Sequence, residues 1–386
     1  MENQLYLFII WEQSRNKSDD IISDIQSKFI IREIFEITWS EKYFLNNLVR
    51  FYGHALPDPK KKTLLCGTGS FLLIVVEDKD PIFVDVIDFH GRIKKNENMS
   101  KQKMKYRELV GKEFSIHGSI SEKETNYNLT LLLHKTTTEL QKELPKKWNG
   151  SIKKLNSDLF GCNGWKNIEE FFKMLNGTVR YVILRNYEDL SINFTLNKHN
   201  DIDILTDGDV LLPYVCMTNN SESPKGKMPQ IIINENTIPI DWKRPGDSFY
   251  DKRWYNDILN RRVLHNNQFY VPSQHDYLHT LFYHMIFHKR TISKEYKEKI
   301  IDLANILNIT QISEDLLNDF NASKKYIEKY MKEMNYSHPT SFKYKLRNNE
   351  LIRLVKFSSF ILRKQGLLFF IKEFQAKVIR SISNNN

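Results

Sequence analysis

The run His199-Asn200-Asp201-Ile202-Asp203-Ile204-Leu205 constrains this chain more than any other segment. Carboxylates at i and i+2 of a strand point to one face, while Ile202 and Ile204 point to the other and need a buried partner. A third acid stands in a similar setting, Ile238-Pro239-Ile240-Asp241-Trp242. Three carboxylates converging at one edge of a sheet repel one another, and a divalent cation relieves the repulsion. Such a cage is the usual apparatus of phosphoryl and nucleotidyl transfer. The plain alternative is an Asp-x-Asp on a solvated strand or loop, a pattern that arises by chance. The later acid favours the cage, with Asp201, Asp203 and Asp241 as metal ligands and catalytic groups, and Mg²⁺ or Mn²⁺ as cofactor.

The segment Val179-Arg180-Tyr181-Val182-Ile183-Leu184-Arg185-Asn186 supplies a strand and a turn ahead of the carboxylate pair. A strand, a turn, Asp-x-Asp on the next strand and a third acid on a later one resemble the nucleotidyltransferase-fold superfamily, over about 176–290. In that superfamily a Gly-Ser or Gly-Gly pair stands where Arg185-Asn186 stands here, and its backbone approaches the nucleotide phosphates. The side chains of Arg185 and Asn186 are expected to bind phosphate instead. Lys243 and Arg244, just after the third acid, are expected to neutralise charge on the transferring group. Divergent members acting in surface-polysaccharide assembly, the fukutin-like and choline-phosphotransferase group, also tolerate altered turns. That resemblance implies a transferase in capsule or lipopolysaccharide biosynthesis, with a nucleotide or nucleotide-activated donor and a glycan or lipid-linked acceptor.

At 386 residues the chain is long enough for two or three domains, and 41% hydrophobic with 27% charged residues is ordinary for a soluble globular protein. The formal net charge of +10 favours anionic partners: nucleotides, phospholipid surfaces, phosphorylated glycans or nucleic acid. Cys66, Cys162 and Cys216 are odd in number and far apart, with neither disulfide nor zinc spacing, which points to a reducing compartment. Leu5–Ile10 is too short for a signal or a span, so a cytoplasmic location is expected.

Residues 1–140 read as an α/β domain of their own: strands over Leu5–Ile10, Ile30–Thr38 and Thr68–Glu77, and helices over Asp19–Phe29 and Ser40–Tyr52, the second capped by Ser40. The order predicts a sheet with helices on one face. With Phe114-Ser115-Ile116-His117-Gly118-Ser119 and the helix-like Glu122–Leu133 behind it, the domain resembles nucleoside diphosphate kinase, a ferredoxin-like fold whose His-Gly-Ser carries the phosphorylated histidine. The resemblance implies a catalytic His117, with Glu124 roughly placed as its acidic partner. Trp11 and Phe114 replace the family's phosphate-binding Lys and its Asn, and Arg107 is a candidate for its Arg. The alternative is a lone histidine at a strand end, satisfied by its neighbours in a regulatory or docking domain.

Residues 141–175 read as a helical, charged connector with breaks at Trp148-Asn149-Gly150 and Gly161-Cys162-Asn163-Gly164. A helix is predicted from about Ser273 to Lys289, with His275/His279 and His284/His288 as two i, i+4 pairs on opposite faces. No Glu follows the first histidine as a hydrolytic zinc helix requires, so packing is the simpler reading. His284, as a proton acceptor, and His288 and Lys289, as phosphate ligands, are the candidates over the cleft. Residues 291–386 are expected to be helical. Ser358–Arg380 carries eleven large apolar residues and five cations against Glu373 alone, which suits a helix on an anionic membrane or one docked on the core. The other function classes are a nucleic-acid-binding or RNA- or DNA-modifying nucleotidyltransferase, a phosphohistidine-type kinase through His117, and a catalytically inert scaffold. No aromatic-basic, zinc or helix-turn-helix signature supports nucleic acid.

Overall fold

The structure, a computed structural model, describes residues 4–56, 58–88, 91–111, 114–188, 190, 201–208, 211–216, 230–247 and 249–338. The basic tail Ser358–Arg380 lies outside the described residues. The fold is mixed α/β.

Chain order in the first part is β1 (Leu5–Ile10), α1 (Ser18–Lys28), β2 (Ile30–Thr38), α2 (Phe44–Tyr52), α3 (Pro59–Cys66) and β3 (Phe71–Glu77). There follow a hairpin of β4 (Phe83–Asp88) and β5 (Gly91–Asn96), then α4 (Glu97–Val110), β6 (Ile116–Gly118), α5 (Glu122–Leu133), α6 (Thr137–Glu143) and β7 (Ile152–Asn156). Five of these strands form one sheet in the order β6-β1-β3-β2-β7, antiparallel except for the parallel β2/β7 edge. β1 and β3 are continuous apolar runs buried along their whole length, the pattern of a sheet covered on both faces. Tyr6, Phe8, Ile10 and Ile74 pack with Ile21, Ile25, Met99 and Tyr106 of α1 and α4, whereas Leu7, Ile9, Leu73 and Val75 pack with residues of α2 and α5. The expected one-sided cover is therefore corrected: helices lie on both faces.

Two local expectations also change. Ser40 caps no helix; its Oγ donates to Asp158 Oδ2 at 2.7 Å, and a 3₁₀ turn over Glu41–Tyr43 leads into α2. Within 141–175, Ile152–Asn156 is a strand, because its backbone extends the sheet past β2 while most of its side chains face solvent. The break at Gly161 has a steric cause. Its φ is +73°, and a Cβ there would lie 2.4 Å from the Trp165 ring.

The second part opens with α7 (Ile168–Thr178), whose Asn167 cap accepts from the Glu170 amide. Then come β8 (Tyr181–Ile183), β9 (Ile202–Thr206), α8 (Leu212–Cys216), β10 (Gln230–Ile233) and β11 (Asn236–Lys243), with the sheet order β10-β11-β9-β8. α9 (Lys252–Asn260), the short hairpin β12 (Val263–His265)/β13 (Phe269–Val271) and α10 (Gln274–Tyr283) follow. The helix predicted to Lys289 changes form at its end: His284–Lys289 is π-helical, a wider winding often found at functional sites. α11 (Lys294–Ile306), α12 (Glu314–Asn318) and α13 (Phe320–Glu333) close the described chain. Among the described residues no helix is long and apolar enough to cross a membrane. One hydrophobic core runs from Leu7 and Phe71 of the first sheet through Phe171 and Ile204 to Trp254 and Ile327.

Candidate metal centre and its cationic collar

β9 and β11 are parallel neighbours, and Asp203 and Asp241 are partners in their register. Register partners on adjacent strands share a face, so pairing brings the two carboxylates together although they are distant in sequence. Asp201 stands just ahead of β9, exposed and on the same side as Asp203. One carboxylate oxygen from each of the three lies within 4.8 Å of the others. Asp203 is buried, Asp241 half-buried. Burial raises the pKa of Asp203, and the neighbouring Asp201 and Asp241 push it further against the pull of Arg185 and Lys243. Crowded hard oxygens of this kind fit Mg²⁺ or Mn²⁺.

Arg185 follows β8, and its position is set by the Leu184 amide donating to the Asp203 carbonyl at 2.9 Å. Its Nη2 donates to Asp203 Oδ1 at 2.7 Å. Nη1 donates to His284 Nδ1 at 3.1 Å, and His288 Nδ1 lies 3.3 Å from that same nitrogen. An arginine can only donate, so His284 Nδ1 carries no proton and the ring is neutral. Burial, then the charges of Arg185, His288, Lys289 and Lys243, lower the His284 pKa to about 2. His288 falls to about 3, through burial and then Arg185 and Lys243. The expected proton acceptor His284 is thus engaged in holding Arg185, with His288 behind it. For Arg185, burial works against the charge, but the Asp203 carboxylate outweighs it and the pKa rises.

Lys243 shares a face of β11 with Asp241, and its Nζ reaches both carboxylate oxygens, at 2.7 and 2.8 Å. The same ammonium sits 4.6 Å from the Phe249 ring centre. Arg244 turns its guanidinium over Trp242, 5.8 Å from the ring, while its amide donates to Asp247 Oδ2. Asn186 has φ +56°, a left-handed backbone that glycine adopts most easily, and its Oδ1 accepts from Lys299 Nζ at 3.4 Å. That side chain therefore faces α11. Lys289 is exposed at the end of the π-helical turn. His117 belongs to a different place, β6 of the first sheet.

Two aromatic residues escaped the sequence reading. Tyr250 is buried, its hydroxyl has no hydrogen-bond partner among the described residues, and the charges of Arg185 and Asp203 both act on it. Burial, the largest cause, raises its pKa. Tyr296 of α11 feels the same two charges and packs 5.9 Å from the His284 ring. Neither carries a motif; each reaches the site by chain folding after the third acid. Comparison of the chain with family models, with curated proteins and with solved structures found no match.

Proposed function

We propose that this chain is a metal-dependent nucleotidyl- or phosphotransferase of the nucleotidyltransferase type. One observation carries the reading: Asp203 and Asp241 in register on adjacent parallel strands, with Asp201 beside them and ligand oxygens within 4.8 Å. The left-handed Asn186, at the turn where the superfamily has glycine, and the cations Arg185 and Lys243 around the acids add support. The antiparallel order β6-β1-β3-β2 in the first sheet supports a ferredoxin-like reading of that part.

Asp201, Asp203 and Asp241 would hold the Mg²⁺ or Mn²⁺. Bound there, the ion would supply charge neutralisation on the phosphates of a nucleotide or nucleotide-activated donor. Arg185, fixed between Asp203 and His284, presents a rigid planar cation beside the cage, suited to the equatorial oxygens of a transferring group. Lys243 would be a second cation, exchanging Asp241 for substrate phosphate. Neutral His284 and His288 position Arg185 and leave acceptor deprotonation to a carboxylate. The acceptor would be a glycan or lipid-linked glycan of surface-polysaccharide assembly.

Asp203→Asn tests the assignment, since it removes a ligand charge with little change in volume. Mn²⁺ should bind the parent protein and raise its melting temperature together with a nucleotide or CDP-alcohol. The variant should lose both effects while keeping its far-UV spectrum, a loss of several kcal/mol of binding on the order of one charged ligand contact. Equal Mn²⁺ affinity in the two proteins would sink the metal-centre assignment.

A further inference from the structure

A cavity of about 290 Å³ opens between α2, α3, α4 and β6 of the first sheet. Lys61, Lys62, Lys103 and Arg107 line it against Asp58 and Glu124, an excess of two positive charges. Both carboxylates already serve the backbone. Asp58 caps α3, accepting from the Lys61 amide at 3.0 Å, and Glu124 Oε2 accepts from the Ile120 amide at 2.8 Å. Two of the cations are held in place by uncharged partners. Lys62 donates to the Phe114 carbonyl and lies 4.5 Å from the Tyr52 ring, and Arg107 Nε donates to the Ile116 carbonyl at 3.1 Å. Burial lowers the pKa of Lys62 to about 8 and also lowers that of Lys103, where Arg107 adds to the effect and Glu124 opposes it. His117 stays neutral, through burial and then the charges of Lys103, Lys62 and Arg107. Cations gathered in a cavity wall with fewer carboxylates than positive charges among the described residues are relieved by an anion. The remaining wall is Ala55, Leu56, Leu65, Phe114 and the Tyr52 ring, with the His117 ring among them.

From this geometry we infer that the first-sheet cavity binds a small organic phosphate, its anionic head among Lys62, Lys103 and Arg107 and its apolar body against Leu56, Leu65 and Phe114. The site binds without transferring a group. His117 Nε2 lies 2.9 Å from Asn128 Nδ2, and the ring is packed between Phe51 and Tyr52. Gly118 and Ser119 have packing roles of their own. A Cβ at Gly118 would lie 2.9 Å from the Phe8 ring, and Ser119 Oγ accepts from the Leu7 amide at 3.1 Å.

Calorimetric titration of the full-length protein in EDTA, with phenyl phosphate and with inorganic phosphate, tests this apart from the metal centre. Phenyl phosphate should bind one per chain and more tightly than inorganic phosphate. Lys103→Gln and Arg107→Gln should each weaken it roughly tenfold, Lys103→Arg should retain it, and Asp203→Asn should leave it unchanged. No saturable heat by about 10 mM, affinity untouched by the Gln variants, equal affinity for the two phosphates, or loss in Asp203→Asn would each overturn the proposal. Should the Gln variants fail to fold, acetylation of the parent protein decides: phenyl phosphate must protect Lys103, and an unprotected Lys103 refutes the site.

Discussion

Two histidine pairs with the same i, i+4 spacing are sorted by what packs on them. His284 meets Arg185 with His288 behind it, whereas His279 stacks at 3.6 Å on Tyr330 of α13. His279 Nδ1 donates to the His275 carbonyl at 2.7 Å, and Tyr326 OH stands 3.5 Å from Nε2, so the ring is held neutral. Burial lowers its pKa from 6.5 to about 4, against the opposing pull of the hydrogen bond to the His275 carbonyl and of Asp276. Between those values the unfolded chain binds a proton that the folded chain refuses, so stability rises with pH and falls on acidification. Urea titrations at pH 7 and about pH 4.5 should show His279→Gln losing about 2 kcal/mol less than the parent protein. Identical losses would mean that His279 is charged in the fold. At this scale Asp201, Asp203 and Asp241 were legible, because strand alternation alone puts the first two on one face. The tie from Arg185 to His284 was not legible, since it depends on where α10 lands, and neither was the contact of the Asn186 side chain with Lys299.

Among the elements, apolar runs such as Phe71–Glu77 announced themselves, since a strand buried on both faces needs uninterrupted hydrophobicity. Ile152–Asn156 did not, because Lys153 and Lys154 face solvent and only backbone pairing with β2 makes it a strand. The meeting of β6 with α4 and β1 gives the next prediction. Gly118 lies where a methyl group would press on Phe8 Cδ1 at 2.9 Å and come within 3.5 Å of Lys103 Cβ. Gly118→Ala should therefore destabilise the protein by about 1–3 kcal/mol through overpacking, read as a lower urea midpoint with an unchanged m-value. An unaltered midpoint would show that the strand moves freely and that the His-Gly-Ser run is not fixed by packing.

Over the whole molecule, the expected division into a first domain, a connector and a catalytic domain meets a core that does not stop between them. Leu129 and Leu131 of α5 belong to the same buried cluster as Phe171 and Leu175 of α7, and as Ile204 beneath the metal ligands. Polar ties follow the same route. Buried Arg50 of α2 donates to the Phe160 carbonyl at 2.8 Å and to the Tyr214 carbonyl of α8 at 3.2 Å, and Tyr127 OH donates to the Arg50 carbonyl. These contacts are non-local, which is why sequence periodicity could not reveal them. A fragment of residues 1–140 would expose the α5 face and leave Arg50 without its carbonyl partners, a buried cation with no satisfied alternative. Such a fragment should bind a hydrophobic dye and show no cooperative melt, whereas the chain through residue 338 should unfold in one step. Fluorescence of Trp11 and Trp39 in the first part and of Trp242 and Trp254 in the second, isolated by single-tryptophan variants, should give the same urea midpoint. Two separated midpoints, or a cooperatively folding 1–140 fragment, would mean that the shared core couples the halves by less than either half's own stability.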